Sequence, residues 1–289
     1  MIYLNNAATS YPKPESVIKA YTDALRSLPS GQFRSAGVSD NADSFSLCRQ
    51  RLGRLMGIEK WDRIYFSSGS TEGLNALIAG LGIRADQVIS TVTEHNSVLR
   101  PLYNLREDTG EPVLLHCNEN GMVNPELFEA EAQQGRAKAV ILNHCSNVTG
   151  AIQDIKAFGE IAKTYGLIFI LDVSQSAGCM AIEADESNVD ALAFTGHKSL
   201  MGVQGTGGYY VREGLELKPF KYGGTGLDSR KIRYDGTDYE YEPGTQNAPG
   251  IAALAEAANR ILEKGIDKIR AKEKALSDRL IEGLSSMEQ

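Results

Sequence analysis

The chain has 289 residues, a formal net charge of −7 and an ordinary composition, with 42% hydrophobic and 23% charged residues. This length is enough to bury a sizeable core, in one large domain or in a large domain and part of a second. The acidic balance offers no basic surface for phosphate backbones, so it argues against nucleic acids and anionic membranes as partners and favours small molecules.

The start of the chain, MIYLNNAATSYPKPES, lacks the basic and then apolar segments of a signal peptide. No apolar run approaches the ~18 residues of a membrane helix. We therefore expect a soluble protein of the cytoplasm. The four cysteines, Cys48, Cys117, Cys145 and Cys179, show no CxxC spacing, which predicts buried thiols instead of a zinc knuckle or a disulfide scaffold.

Apolar, β-branched runs alternate along the chain with stretches of helical periodicity. Strands are predicted at residues 62–68, 87–93, 112–117, 139–144, 167–174, 191–196 and 207–212. Helices are predicted between most of them, at residues 70–82, 96–108, 125–135 and 155–166. Nearly continuous apolar strands joined by helices indicate an α/β fold with a mostly parallel seven-stranded sheet covered on both faces.

The main break in this pattern is a stretch rich in Gly and Pro at residues 222–250. After it, residues 251–284 carry apolar residues at helical spacing, which predicts one long helix. We therefore predict a large domain over residues 1–250 and a long helical connection over residues 251–289.

Ligands of open parallel sheets bind beyond the carboxyl ends of the strands. The run FSSGSTEGLNAL passes there from a strand into a helix through Ser70 and Thr71, whose hydroxyls and free N–H groups lie at the positive end of the helix dipole. This pattern is typical of a phosphate site, although Ser and Thr are also ordinary N-caps. Neither GxxxxGK[ST] nor GxGxxG occurs, so the phosphate is not that of a nucleotide in a P-loop or a Rossmann site.

Polar residues also follow other predicted strands. Asp172 ends a buried strand with Gln175 three residues later, and a carboxylate there needs a cation or a donor, unless it caps a helix or braces a loop. His95 and Asn147 follow two more strands, and each is alternatively a structural hydrogen-bonding residue. Few further acidic residues accompany them, so we predict no metal site.

Lys198 follows Thr195 and His197 directly after the strand ALAF, within the Gly-dense run AFTGHKSLMGVQGTGGYYV. Glycines beside one lysine suggest that a non-protein group packs close to it. Pyridoxal 5'-phosphate (PLP) suits the whole set, because its aldehyde is captured by a lysine, its phosphate suits a helix N-terminus, its ring nitrogen pairs with a carboxylate and its ring stacks on an imidazole.

Seven motifs in one order now carry a resemblance: IYLNNAATSYPKP, FSSGSTEGLNALIAGL, EHNSVLRPL, HCSNVTGAI, LDVSQSAG, FTGHKSLMGVQGTGGYYV and YEPGTQNAPGIAAL. Over nearly its whole length the chain resembles the class V aminotransferase family, and most closely its cysteine desulfurase and selenocysteine lyase-like members. The resemblance implies the PLP-dependent transferase fold type I.

The resemblance also implies three catalytic residues. Lys198 matches the Schiff-base lysine, and Asp172 matches the partner of the pyridinium nitrogen. His95 resembles the residue that stacks on the ring, and it is expected to handle the proton of the substrate thiol.

Further cofactor ligands follow from the same resemblance. Asn147 and Gln175 look like the residues that hydrogen-bond the ring oxygen. Thr245 is similar to a phosphate ligand supplied by the second subunit, which implies a homodimer. The other implied phosphate ligands are Ser70, Thr71, Thr195 and His197.

The chain also departs from the family pattern. Asn5 stands where the family often has Asp, and Val173 and Ser174 replace smaller residues. In the family, residues equivalent to 1–20 pack with a small C-terminal domain that carries the persulfide-forming cysteine and the arginine that binds the substrate carboxylate. The chain ends before both, and all four cysteines precede Lys198, so we expect a C-terminally truncated member of the family.

The implied activity is removal of sulfur from L-cysteine to give alanine and an enzyme-bound persulfide, and a sulfur-acceptor protein is a further implied partner. We expect this activity to be incomplete in the chain as given. Two alternatives stay open. One is a catalytically incomplete protein that binds PLP and dimerises. The other is a class V aminotransferase or a β-lyase that acts on another amino acid.

Overall fold

The structure is a computed structural model, and it describes residues 2–27, 44–105, 110–225, 230, 232–233 and 241–287. All seven runs predicted as strands are strands. They are β1 (Ile64–Ser67), β2 (Val88–Thr91), β3 (Val113–Leu115), β4 (Ala139–Asn143), β5 (Ile168–Asp172), β6 (Ala191–Thr195) and β7 (Gly207–Val211).

These strands form one sheet in the order β1-β7-β6-β5-β4-β2-β3. The pairs from β6 through β5, β4 and β2 to β3 are parallel, and β7 is antiparallel to both of its neighbours. β7 runs backwards because residues 196–206, which connect it to β6, contain no helix, and a parallel return needs a longer crossover. The prediction of a mostly parallel sheet is confirmed.

Eight α-helices flank the sheet in the described residues. They are α1 (Glu15–Arg26), α2 (Ser44–Met56), α3 (Ser70–Gly80), α4 (Asn96–Leu105), α5 (Pro125–Ala132), α6 (Ile155–Thr164), α7 (Ala248–Lys264) and α8 (Ile266–Ser285). The four helices predicted between strands correspond to α3, α4, α5 and α6. Helices α3, α5 and α6 are somewhat shorter than their predicted ranges, and residues 106–108 of the range predicted for α4 lie outside the described residues. Helices α1 and α2 are not among the predicted elements.

The two faces of the sheet build two separate cores, since successive residues of a strand point to opposite sides. In β5, Phe169 and Leu171 face the core formed with α2, α5, α6 and α7, whereas Ile170 faces the core formed with α3 and α4. Because both faces are covered, the strands are apolar at nearly every position. β4, β5 and β6 nevertheless end in polar residues, which are Asn143, Asp172 and Thr195.

The single helix predicted over residues 251–284 is wrong. The helix is interrupted at Gly265, which adopts a φ of 83° and donates its N–H to the carbonyl oxygen of Ile261, ending α7. Such a φ favours glycine, because a side chain is strained in the left-handed region. α7 packs against α1, since its Ala253 and Ala257 cluster with Val17.

Helix α8 is the most exposed element, with Ile269 as its one buried residue. Within the described ranges, none of the helices combines the length and the apolar character that crossing a bilayer requires. The division into a large domain and a helical connection stays a prediction.

Candidate active site

A cavity of about 400 Å³ opens at the carboxyl ends of the parallel strands. The site residues predicted from the sequence line this cavity, with the exception of Thr245. They are Ser70, Thr71, His95, Asn147, Asp172, Gln175, Thr195, His197 and Lys198. The topology brings them together because β2, β4, β5 and β6 run parallel and end at one edge of the sheet.

The turn before α3 forms one wall of the cavity and depends on a close approach of two backbones. A Cβ atom at Gly207 would lie 2.5 Å from Cα of Gly69 and 2.7 Å from the carbonyl oxygen of Phe194. Only glycine therefore allows β7 to pass against this turn. The contact holds the N-terminus of α3, with Ser70 and Thr71 in its first turn, at the cavity, where its N–H groups suit an anion.

An acidic residue, Glu72, also lies in this first turn. Its Oε2 accepts hydrogen bonds from the backbone N–H (2.9 Å) and the hydroxyl (2.6 Å) of Ser68, and its Oε1 pairs with Lys221. Burial by itself raises the pKa of Glu72, but the hydrogen bonds from Lys221 and Ser68 outweigh it and hold the pKa below its usual value. Lys221 and the two donors of Ser68 thus balance the negative charge of Glu72 inside the protein.

Asp172 is buried at the end of β5, and one of its oxygens is engaged. Oδ1 accepts hydrogen bonds from the backbone N–H of Ser174 at 2.9 Å and from the Ser174 hydroxyl. This is the bracing role that the alternative interpretation predicts. Oδ2 has no hydrogen bond to any described residue, so it is available to a donor in the cavity.

Lys198 follows β6 and its amine is half-buried. Burial lowers the pKa of Lys198 below its usual value, and the negative charge of Asp172 partly offsets this. Among the described residues, Nζ has no hydrogen-bond partner. A lysine that is shielded from water and not paired is a better nucleophile and base at neutral pH than an exposed one.

His95 belongs to a chain of hydrogen bonds that the sequence did not reveal. Its Nδ1 accepts the backbone N–H of Ser97 at 3.1 Å, and the Ser97 hydroxyl lies 2.9 Å from Nδ1 and 2.7 Å from the Thr71 hydroxyl. Because Nδ1 is an acceptor, the neutral ring carries its proton on Nε2. Ser97 therefore links the imidazole to the first turn of α3.

His197 presents an unsatisfied ring nitrogen. Its Nδ1 is buried and has no hydrogen-bond partner among the residues that the structure describes. Burial together with the charges of Lys198 and Lys13 lowers the pKa of the ring. Buried polar atoms are nearly always hydrogen-bonded, so an orphan in a cavity wall indicates a bound group. Gln175 is also oriented, since its Nε2 donates to the carbonyl oxygen of Ala7 at 3.2 Å.

Thr245 is the predicted residue that lies elsewhere. It is exposed and lines an adjoining cavity of about 190 Å³, which shares Ser68, Glu72 and Gly205 with the main one. Its predicted contact is to the phosphate of a second subunit, which a single chain does not contain.

Several residues of the cavity wall were not predicted. Asn143 ends β4 and follows the same strand-end pattern that identified Asp172. Cys145 corrects the expectation of four buried thiols: Cys48 and Cys179 are buried, whereas Cys117 and Cys145 are partly exposed, and Cys145 lines the cavity. Side chains point alternately to the two faces of a sheet only within a strand. Cys145 lies two residues after the end of β4, so the sequence pattern does not predict its orientation. The other lining residues that were not predicted as ligands are Ser68, Gly69, Glu72, Ser174, Gln204 and Gly205.

The residues suit PLP in their chemistry. The cavity offers a helix N-terminus for a phosphate, a buried carboxylate with one free oxygen, an unpaired lysine amine and an imidazole in its wall. In the parts of the chain that the structure describes, no group of three or more His, Cys, Asp or Glu residues is placed to hold a metal ion.

Comparisons with known proteins find relatives of this chain. The family model described as Aminotransferase class-V matches residues 2–289. A probable cysteine desulfurase of Pyrococcus abyssi is 32% identical over 300 residues, covering all of this chain and 74% of the relative. Cysteine desulfurase IscS of Methanosarcina thermophila is 31% identical, covering 98% of this chain and 67% of the relative. The solved apo structure of the cysteine desulfurase of Thermococcus onnurineus superimposes with a TM-score of 0.90 at 30% identity, covering 98% of this chain and 73% of the other.

Proposed function

The chain belongs to the aminotransferase class-V family, and on this basis we propose that it is a PLP-dependent enzyme that removes sulfur from L-cysteine, giving alanine and an enzyme-bound persulfide. The observation that carries the proposal is that Lys198 and Asp172 line one cavity with the N-terminus of α3. The relatives named above, described as cysteine desulfurases, supply the substrate class.

Different residues of the chain would bind different parts of PLP. Ser70, Thr71, Thr195 and His197 would hold the phosphate, which would give the buried Nδ1 of His197 a partner. Oδ2 of Asp172 would bind the ring nitrogen. Asn147 and Gln175 would bind the ring oxygen, His95 would stack on the ring, and Thr245 would serve the phosphate of a second subunit.

When bound, PLP supplies an aldehyde that condenses with amines and a ring that withdraws electrons from the substrate's Cα. Lys198 first holds the cofactor and then moves the Cα proton, for which its lowered pKa increases the uncharged fraction of the amine. Asp172 keeps the ring nitrogen protonated. Nδ1 of His95 accepts the backbone N–H of Ser97, so Nε2 is the ring nitrogen that would exchange the proton of the substrate thiol.

The homodimer, the sulfur-acceptor protein and the cytoplasmic location are part of this proposal and rest on the family resemblance. The exposed position of Thr245 is consistent with a ligand that serves a neighbouring subunit. Cys145 is the one cysteine of the described residues that lines the cavity, but burial raises the pKa of its thiol and so disfavours the thiolate.

The test is product analysis with purified protein, PLP, L-cysteine and a reductant. A cysteine desulfurase forms alanine and sulfide in equal amounts, a β-lyase forms pyruvate and ammonia, and an aminotransferase forms a keto acid without sulfide. PLP binding without any product supports the incomplete PLP-binding protein. Lys198→Ala should abolish the visible absorbance and the borohydride-reducible adduct, whereas Lys218→Ala, a distant exposed control, should retain both.

A further inference from the structure

A buried carboxyl group lies behind the cavity wall, at Glu94, the residue before His95. The side chain is 6% exposed. Its Oε1 accepts hydrogen bonds from the Thr91 hydroxyl at 2.7 Å, from the backbone N–H of Asn143 at 3.0 Å and from the Asn143 side-chain amide at 3.1 Å. Glu94 thus joins the end of β2 to the end of β4.

Asn143 brings this carboxyl group into relation with the site. It lines the cavity, is 4% exposed and lies in register with Asp172 on the neighbouring strand. Its Nδ2 donates to Glu94 and to the carbonyl oxygen of Thr93 at 3.0 Å, so both amide hydrogens are used. Its Oδ1 is buried, and no described residue forms a hydrogen bond with it.

The second oxygen of Glu94 explains how the group tolerates burial. In the part of the chain that the structure describes, Oε2 is buried and has no hydrogen-bond partner, which is costly for a carboxylate and less so for a carboxylic acid. Burial raises the pKa of Glu94 to about 8, with a smaller contribution from the charge of Asp172, against the hydrogen bonds from Thr91 and Asn143. At neutral pH the group is therefore mostly uncharged, and its Oε1 accepts the hydrogen bonds from Thr91 and Asn143.

We propose that Glu94 is a positioning residue of the cofactor site, whose carboxyl group fixes the side chain of Asn143 in the cavity wall beside Asp172. The inference rests on the proposed binding of PLP. Glu94 acts through Asn143. Without Glu94, the backbone N–H and the amide of Asn143 lose their acceptor, and the amide is free to rotate away from the cavity.

The experiment measures the dissociation constant of PLP in a double-mutant cycle of Glu94 and Asn143. Glu94→Ala and Asn143→Ala should each weaken PLP binding by about tenfold or more, the effect of an unsatisfied buried polar group. The double variant should lose little beyond either single variant, because the two residues act as one unit. Glu94→Gln keeps an acceptor at one oxygen and a donor at the other, so it should bind PLP within about twofold of the wild type.

Ser90→Ala is the matched control, because the buried Ser90 hydroxyl donates to the carbonyl oxygen of Ile141 at 3.0 Å on the same two strands, away from Asn143. It should lower the unfolding temperature and leave the PLP dissociation constant unchanged. If Glu94→Ala does not fold, the PLP dissociation constants of Asn143→Ala and Glu94→Gln still test the inference. Normal PLP binding by Asn143→Ala, or additive losses in the cycle, would overturn the inference alone. A wild-type protein that does not bind PLP would overturn the proposed function as well.

Discussion

Lys13 donates a hydrogen bond from Nζ to the carbonyl oxygen of His197 at 2.8 Å, so the N-terminal segment is joined to the residue directly before Lys198. The same oxygen accepts the backbone N–H and hydroxyl of Ser10 at 3.0 and 3.1 Å and the Thr9 hydroxyl at 3.2 Å. Burial lowers the pKa of Lys13 to about 8. The N-terminal segment therefore takes part in orienting the turn that carries Lys198.

Replacing Lys13 with methionine should loosen this segment while keeping most of the side chain's apolar length. A hydrogen bond from a charged group contributes about 1.5–3 kcal/mol, so amide hydrogen exchange in residues 2–14 should accelerate by about tenfold or more. The matched control is Lys19→Met in α1, whose ammonium group is exposed and pairs with Asp23. Equal exchange in the two variants would show that the Lys13 bond does not hold the segment.

Asp172→Ala should retain the fold and lose PLP affinity, because it removes one partner of a largely desolvated ion pair. Removing one member of such a pair typically costs about 3–5 kcal/mol, equivalent to at least about a hundredfold in the dissociation constant. Exchange of the substrate's Cα proton in deuterium oxide should also stop.

The control is Ser174→Ala, in which the Asp172 carboxylate keeps its hydrogen bond from the backbone N–H of position 174. PLP binding should therefore change by less than about tenfold. Unchanged PLP binding in Asp172→Ala would leave Asp172 with the bracing role only.

Glu94 should make the free energy of unfolding depend on pH. The folded state holds the Glu94 proton up to about pH 8, whereas the unfolded chain releases it near 4.5, so the folded state binds more protons between these values. The stabilising effect is complete below pH 4.5 and is lost as the pH rises to 8.

Denaturant unfolding should show Glu94→Gln gaining stability relative to wild type over this window, by at most about 1.4 kcal/mol per pH unit. The exposed control Glu119→Gln should run parallel to the wild type, and a parallel Glu94→Gln curve would contradict the prediction.

Gly207→Ala should distort the turn before α3. The new Cβ would meet backbone atoms of Gly69 and Phe194, which cannot move aside as a flexible side chain can. We expect a loss of about 1–3 kcal/mol or more in the free energy of unfolding, and weaker PLP binding by whatever protein folds. Gly283→Ala is the control, since its Cβ meets no atom within 4 Å in α8, and alanine there should stabilise the helix by up to about 1 kcal/mol. A Gly207→Ala protein as stable as the wild type would show that the backbones can separate.

The sequence by itself determined the class of the fold and much of the cavity wall. Runs of apolar residues specify buried strands locally, since a strand covered on both faces must be apolar at nearly every position. Polar residues directly after such runs, as at Asp172 and Thr195, then lie at the carboxyl edge wherever the strands are parallel. Seven ordered motifs were enough to indicate the family, which the comparisons confirmed.

Only the tertiary structure decided which distant groups meet. The bond from Lys13 to His197 and the bonds from Asn143 to Glu94 join residues 184 and 49 positions apart, and no local periodicity encodes such contacts. The break at Gly265 was hidden because apolar spacing continues through it, while a positive φ is a property of the backbone. Titration of Glu94 and Lys198 likewise depends on how much water the surrounding strands exclude, which is settled only when the sheet and its helices have packed.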